Sequence, residues 1–152
     1  MAKLTIEQAV TVAAVQHLIN DWANELDIDN GKNIADLVTA DCSYAVGPTP
    51  RQGRAEIIKF YQDRLLRLSA TPEGVPIHRH ALSNLRVSFQ SADEVSITFT
   101  LIYFTTAGMK SGVNHADPAL VADVRMICRR ESDGEWRIAK FDSNPSFKRT
   151  PP

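Results

Sequence analysis

Cysteine, glycine and aromatic residues are all sparse in this chain, and neither sign of charge dominates: its 152 residues include 2 Cys and 7 Gly, with 7% aromatics. Cys42 and Cys128 have no paired metal-binding spacing and cannot supply a disulfide framework. Each reads as a buried, reduced thiol, which points to a cytoplasmic location. The glycines are scattered and form neither GxGxxG nor GxxxxGK, so phosphate-loop chemistry on nucleotides is excluded. There is also no GxSxG elbow to present a nucleophilic serine. Lys and Arg number 17 against 18 Asp and Glu, a net charge of -1. That balance offers no positive field to a nucleic acid or an anionic membrane, and neither is expected as a partner. No apolar run reaches the roughly 18 residues of a membrane span, and the start, Met1 to Thr5, leads directly into a mixed segment with Glu7 and Gln8, without a secretory leader. With 43% hydrophobic residues, the chain can build one ordinary core. Residues 1–152 are read as a single domain, with about 145–152 as a poorly ordered tail carrying Pro145, Pro151 and Pro152.

What is present is a helical half followed by a β-rich half. Thr5 and Gln8 make a capping-box pattern, after which Ile6, Val10, Ala14, Leu18, Trp22 and Leu26 recur every four residues; this predicts a helix of about 20 residues. It ends near Asp27, where Asp27-Ile28-Asp29-Asn30-Gly31 favours turn geometry. A short second helix is expected from about Lys32 to Thr39, and a strand over Cys42 to Val46, closed by Gly47-Pro48-Thr49-Pro50. A third helix starts at Gly53 as N-cap, with Glu56 in its first turn and Ile57, Tyr61, Leu65 and Leu68 facing inward. Strands follow near 78 to 90, 95 to 107, 119 to 131 and 135 to 143, with Asp133-Gly134 as a hairpin turn. Helices first and antiparallel strands later indicate an α+β fold, its helices packed on one face of a sheet.

The four histidines are the first candidates for chemistry. His17, among alternating polar and apolar neighbours, and His115, in a polar loop, read as solvated or packing residues. His78 and His80 lie two apart on a predicted strand and so share a face. Such a pair binds a transition metal only if a third ligand converges, for which His115, Asp117 or Asp27 is available; no second cluster at ligand spacing supports this, and no metal is expected. Asp27 directly follows the apolar stripe of the first helix. Its carboxylate either makes local turn bonds or lies near the apolar interior, and the spacing leaves both open.

Several segments resemble the SnoaL-like branch of the nuclear-transport-factor-2 superfamily, which includes scytalone dehydratase and hexachlorocyclohexane dehydrochlorinase. They are Glu25-Leu26-Asp27 with Ile34-Ala35-Asp36-Leu37, Asp41-Cys42-Ser43-Tyr44, Gly53-Arg54-Ala55-Glu56-Ile57, Arg79-His80-Ala81-Leu82-Ser83-Asn84-Leu85-Arg86-Val87 and Asp133-Gly134-Glu135-Trp136-Arg137-Ile138. The resemblance implies a cone of three N-terminal helices on a strongly curved, mostly antiparallel sheet enclosing one pocket. It also implies an Asp at the end of the first helix that orients a His general base on the first long strand: Asp27 and His80, the latter four residues before Asn84. Trp22, Tyr44, Phe60, Tyr61, Asn84 and Thr105 are the expected substrate-binding residues. The dehydratase would need a second histidine on the next strand, and Val95 to Ala107 has none; its polar groups there are hydroxyls such as Thr98, Thr100, Tyr103 and Thr105.

Such a dyad supports elimination, dehydration or isomerisation without a cofactor, because the carboxylate fixes the tautomer and leaves the other nitrogen to take a proton. The expected function is a cofactor-independent lyase or isomerase acting on a small apolar molecule. The alternatives are a non-catalytic ligand-binding protein and an assembly subunit resembling the β subunit of ring-hydroxylating dioxygenases. A homodimer or homotrimer is implied by the resemblance. One geometric conflict carries its own expectation: His80, Leu82 and Asn84 share one strand parity, whereas Leu85, Val87 and Phe89 share the other. Both sets face a core only if a β-bulge falls between about Ser83 and Leu85.

Overall fold

The computed structural model of the chain describes residues 3–109 and 117–149. Helix α1 (Ile6–Asn24) starts at Thr5 with both halves of the capping box in place, Thr5 Oγ1 accepting the Gln8 amide and Gln8 Oε1 accepting the Thr5 amide. Its buried face is Val15, Leu18, Ile19, Trp22 and Ala23. Ile6 and Val10, expected on that face, are exposed. Steps of four residues drift by about 40° each around a 3.6-residue helix, so the stripe that is correct at Trp22 has rotated into solvent by Ile6.

Past Asn24 the helix widens into a π turn, Glu25–Asp29, stopped by Asn30 in the left-handed region at φ 57. The buried Glu25 carboxylate accepts the Asn33 amide at 2.6 Å and fixes the turn that follows. Only a 3-10 turn, Ile34–Asp36, stands where the second helix was expected. Among the described residues there are therefore two α-helices and not three. Val38 and Thr39, assigned to that helix, instead open strand β1 (Val38–Ala45), where both are fully buried and Val38 pairs with Ile138. Their β-branched side chains suit a packed ladder better than a short isolated helix.

Strand β2 (Arg51–Gln52) precedes helix α2 (Arg54–Ser69), which Gly53 caps and which buries Ile57 and Tyr61. Four long strands complete the chain: β3 (His78–Phe89), β4 (Glu94–Thr105), β5 (Leu120–Arg130) and β6 (Trp136–Lys148). The six strands form one open sheet in the order β2-β1-β6-β5-β4-β3, with β1 and β6 parallel and the other pairs antiparallel. The core lies between the helices and the sheet face carrying Val95, Ile97, Phe99 and Leu101 of β4 and Ala122, Val124, Met126 and Cys128 of β5. Among the described residues, no helix is long and apolar enough to cross a membrane.

Two local features correct or sharpen the sequence expectations. The tail assigned from Pro145 stays in β6 to Lys148, with Pro145 opposite Ala122. The register shifts between Val121 and Ala122 at this point, and a bulge is where a strand can take a proline that has no amide to donate. In β3 the register shifts between Ser83 and Arg86, with Asn84 at φ 57. The strand thus turns His78, His80 and Leu82 inward before the bulge and Leu85, Val87 and Phe89 inward after it.

Candidate functional site

An apolar cavity of about 310 Å³ opens between α1, α2 and the core face of the sheet, at the small end of the range for ligand sites. Trp22 comes from the end of α1, Leu26 from the π turn that follows it, Tyr44 from β1, Phe60, Tyr61 and Arg64 from α2, His80 from β3, Leu101 and Tyr103 from β4, and Phe141 from β6. The structure thus brings five of the residues singled out in the sequence to one wall system: Trp22, Tyr44, Phe60, Tyr61 and His80.

Asp27 stands behind His80. Its Oδ1 lies 2.6 Å from His80 Nδ1 and its Oδ2 accepts the His80 backbone amide at 3.0 Å, with both side chains only 12% exposed. The two-point grip fixes the ring's place as well as its tautomer, because a carboxylate only accepts and Nδ1 must therefore carry the proton. Among the described residues nothing else hydrogen-bonds the ring, so Nε2 has no partner, and His80 lines the cavity. Trp22 and Tyr103 flank the imidazole, with ring centroids 5.8 and 4.8 Å away.

Two phenol hydroxyls are linked in another part of the cavity wall. Trp22 Nε1 donates to the Tyr44 hydroxyl at 2.8 Å, and that oxygen lies 2.8 Å from the Tyr61 hydroxyl. Burial raises the pKa of both phenols, Tyr44 well above its usual value and Tyr61 to about 12, so both stay protonated and serve as hydrogen-bonding groups. Tyr44 also stacks on Phe141 at 4.6 Å, and Arg51 lies 3.9 Å over the Phe60 ring.

Asn84 and Thr105 are not in this wall. Asn84 sits in the β3 bulge, exposed, beside a polar depression with Arg86, Thr98 and Asp123; the bulge that turns Leu85 inward is what turns Asn84 out. Thr105 is the last residue of β4, where its hydroxyl accepts the Ala107 amide at 3.1 Å. His78 is fully buried, its Nδ1 against the Tyr103 hydroxyl and its Nε2 against Arg64. A guanidinium at Nε2 takes the position a metal would need. Among the described residues no three His, Cys, Asp or Glu side chains converge; His115 lies outside the described residues. His17 is exposed beside Asp21. Cys42 and Cys128 are free and buried, and burial pushes both thiols to about 12.

Arg64 and Tyr103 were not singled out as site residues, although a signal for each exists. Arg64 follows Ile57 by seven residues and Tyr61 by three, which is the inward face of α2. Tyr103 continues the inward alternation Val95, Ile97, Phe99, Leu101 along β4.

An open mixed sheet with two helices on one face, holding an apolar cavity with a histidine gripped by an acid in its wall, defines a class of small α+β pocket protein. The chain belongs to the SnoaL-like domain family, whose model matches residues 7–142, within the nuclear-transport-factor-2-like superfamily. A search of curated proteins gives no match. Among solved structures, the hexachlorocyclohexane dehydrochlorinase LinA-type3 from Novosphingobium barchaimii is 19% identical, with 97% of this chain and 99% of that one covered at a TM-score of 0.73. A Novosphingobium aromaticivorans protein assigned as a scytalone dehydratase is 17% identical over 95% of this chain and 89% of that one, at a TM-score of 0.75. A Catenulispora acidiphila protein in complex with S-DNPA is 22% identical over 91% of this chain and 95% of that one, at a TM-score of 0.73. These likenesses establish the fold.

Proposed function

We propose that the chain is a cofactor-independent lyase or isomerase that removes a proton from a small, mostly apolar molecule held in the cavity, with His80 as general base and Asp27 as its orienter. One observation carries this reading: the 2.6 Å contact between Asp27 Oδ1 and His80 Nδ1 at the wall of an apolar cavity. The carboxylate stabilises the imidazolium that forms when Nε2 takes the proton, and the apolar surroundings strengthen that interaction. Proton removal beside a leaving group gives elimination or dehydration, and beside a carbonyl it gives isomerisation. The names of the dehydrochlorinase and dehydratase of the same fold agree with this class of chemistry, and the S-DNPA complex agrees with the cavity as a ligand site.

The test is a screen of ketones, β-hydroxy ketones, epoxides and halogenated cyclohexanes in D₂O, following product and deuterium uptake by NMR. Wild type is expected to turn over or exchange at least one member, and His80→Ala to lose about 10² to 10⁴ of that rate. Activity that survives His80→Ala would remove His80 from the mechanism. Tight binding without exchange or product across the panel would favour a binding protein instead.

A further inference from the structure

His78 is 2% exposed and does not reach the cavity, yet both of its ring nitrogens are engaged by residues that do. Its Nε2 lies 3.4 Å from Arg64 Nη2, and its Nδ1 lies 2.5 Å from the Tyr103 hydroxyl. A guanidinium has donors only, so Nε2 must be the acceptor in that pair; the opposite tautomer would set two N–H groups against each other. The proton of the neutral ring is therefore on Nδ1, and it points at the Tyr103 oxygen. Burial, with Arg64 and His80 adding to it, lowers the His78 pKa to about 4, so the ring stays neutral near pH 7.

The Tyr103 oxygen is thus occupied as an acceptor, and its own hydrogen is directed to a third partner. Among the described residues it makes no other hydrogen bond, and the space it borders is the cavity. Tyr103 pairs with His80 across the β3–β4 ladder, with the two rings 4.8 Å apart. Arg64 lines the same cavity and forms no ion pair among the described residues.

We infer that the Tyr103 hydroxyl donates a hydrogen bond to an oxygen of the bound molecule, and that Arg64 and His78 are positioning residues that set the direction of this donation. The inference rests on the reading of His80 as base and narrows the substrate class to molecules with a carbonyl oxygen next to the acidic C–H. The step is balanced within the site: the C–H bond breaks, its proton goes to His80 Nε2, and its electron pair moves through the carbon to the carbonyl oxygen. The enolate oxygen then carries the charge that the Tyr103 hydrogen bond stabilises in a partly desolvated setting. A halogenated hydrocarbon has no such acceptor and would leave this donor unused.

The probes are acetophenone and its oxygen-free isostere α-methylstyrene, with binding followed by titration and methyl deuterium uptake in D₂O followed by NMR. Wild type is expected to bind the ketone roughly tenfold more tightly than the isostere, the scale of one well-placed hydrogen bond. Tyr103→Phe should erase that preference and slow uptake. His78→Leu should do likewise, whereas His78→Gln, whose amide can accept from Arg64 and donate to Tyr103, should restore most of it; a purely structural role for His78 predicts no such rescue. Equal affinity for the two probes in wild type, including failure to bind either, overturns the inference, as does a preference that persists in Tyr103→Phe. The two readouts also separate the two readings. Ketone preference without deuterium uptake keeps Tyr103 as donor and rejects His80 as base, and uptake without preference does the reverse.

Discussion

The ring of Tyr61 lies against the backbone of Gly31 so closely that a Cβ built at residue 31 would stand 2.5 Å from its ring carbons. Gly31 also holds φ +80, in the left-handed region where a side chain is strained. Gly31→Ala should therefore destabilise the fold by about 2 to 4 kcal/mol, the sum of backbone strain and overpacking. Gly134 has a similar φ of +88 with nothing within 4 Å, and Gly134→Ala should cost only about 1 kcal/mol. Urea midpoints of the two variants check the difference; equal losses would mean that Tyr61 yields without cost.

Asp27→Asn keeps the size of the side chain but removes the charge that, in the proposed mechanism, stabilises an imidazolium at His80. On any substrate found in the screen it should lower kcat/KM by about 10² to 10⁴, with the folded structure retained. Combined with His80→Ala it should add little if the two residues act as the one unit proposed. A double variant whose loss is the product of the single losses would show that they act separately.

His78 makes stability depend on pH. Its folded pKa of about 4 lies below the ordinary histidine value of 6.5 because burial, then Arg64 and His80, oppose the charged form. Between those values the unfolded chain binds a proton that the folded chain refuses, so stability is full above about 6.5 and falls as pH drops toward 4. The loss approaches about 3 kcal/mol. Denaturant titrations at pH 7.5 and 4.5 should show most of this difference in wild type and its absence in His78→Gln.

The Trp22–Tyr44 hydrogen bond is buried at both ends. Trp22→Phe leaves the Tyr44 oxygen without its indole donor, and Tyr44→Phe strands the indole N–H. Each should destabilise by about 1 to 3 kcal/mol, and the double variant should cost less than their sum by about 1 kcal/mol. Strict additivity in that cycle would mean that the bond contributes nothing of its own.

Long, strongly patterned elements were legible in the sequence. The capping box at Thr5, the glycine cap of α2 and the four long strands follow from local chemistry, and the β3 bulge followed from a parity conflict between His80 and Leu85. The segment from Lys32 to Thr39 misled because it is too short for periodicity to separate a helix from a strand, and its pairing partner, Ile138, lies a hundred residues away. Asn84 was expected in the pocket from the family resemblance, with a bulge after it, whereas the register shift between Ser83 and Arg86 takes in Asn84 itself and leaves it exposed. Asp27 and His80 are 53 positions apart, so spacing left the role of the acid open and only the family resemblance suggested the pair. The Arg64–His78–Tyr103 chain spans α2, β3 and β4, and its direction emerges only when the three elements are in register.

Strand β3 ends the six-stranded sheet, and the outer amides of such a strand are a template on which another chain can pair. At His80 the outer amide is already taken, by Oδ2 of Asp27. The acid thus supplies one rung where, among the described residues, no further strand pairs, sealing the margin of the sheet at the residue whose ring it aims. Orientation of the imidazole and protection of the edge are consequently one property, and a chain that loses the carboxylate exposes a sticky border as well as an untethered ring.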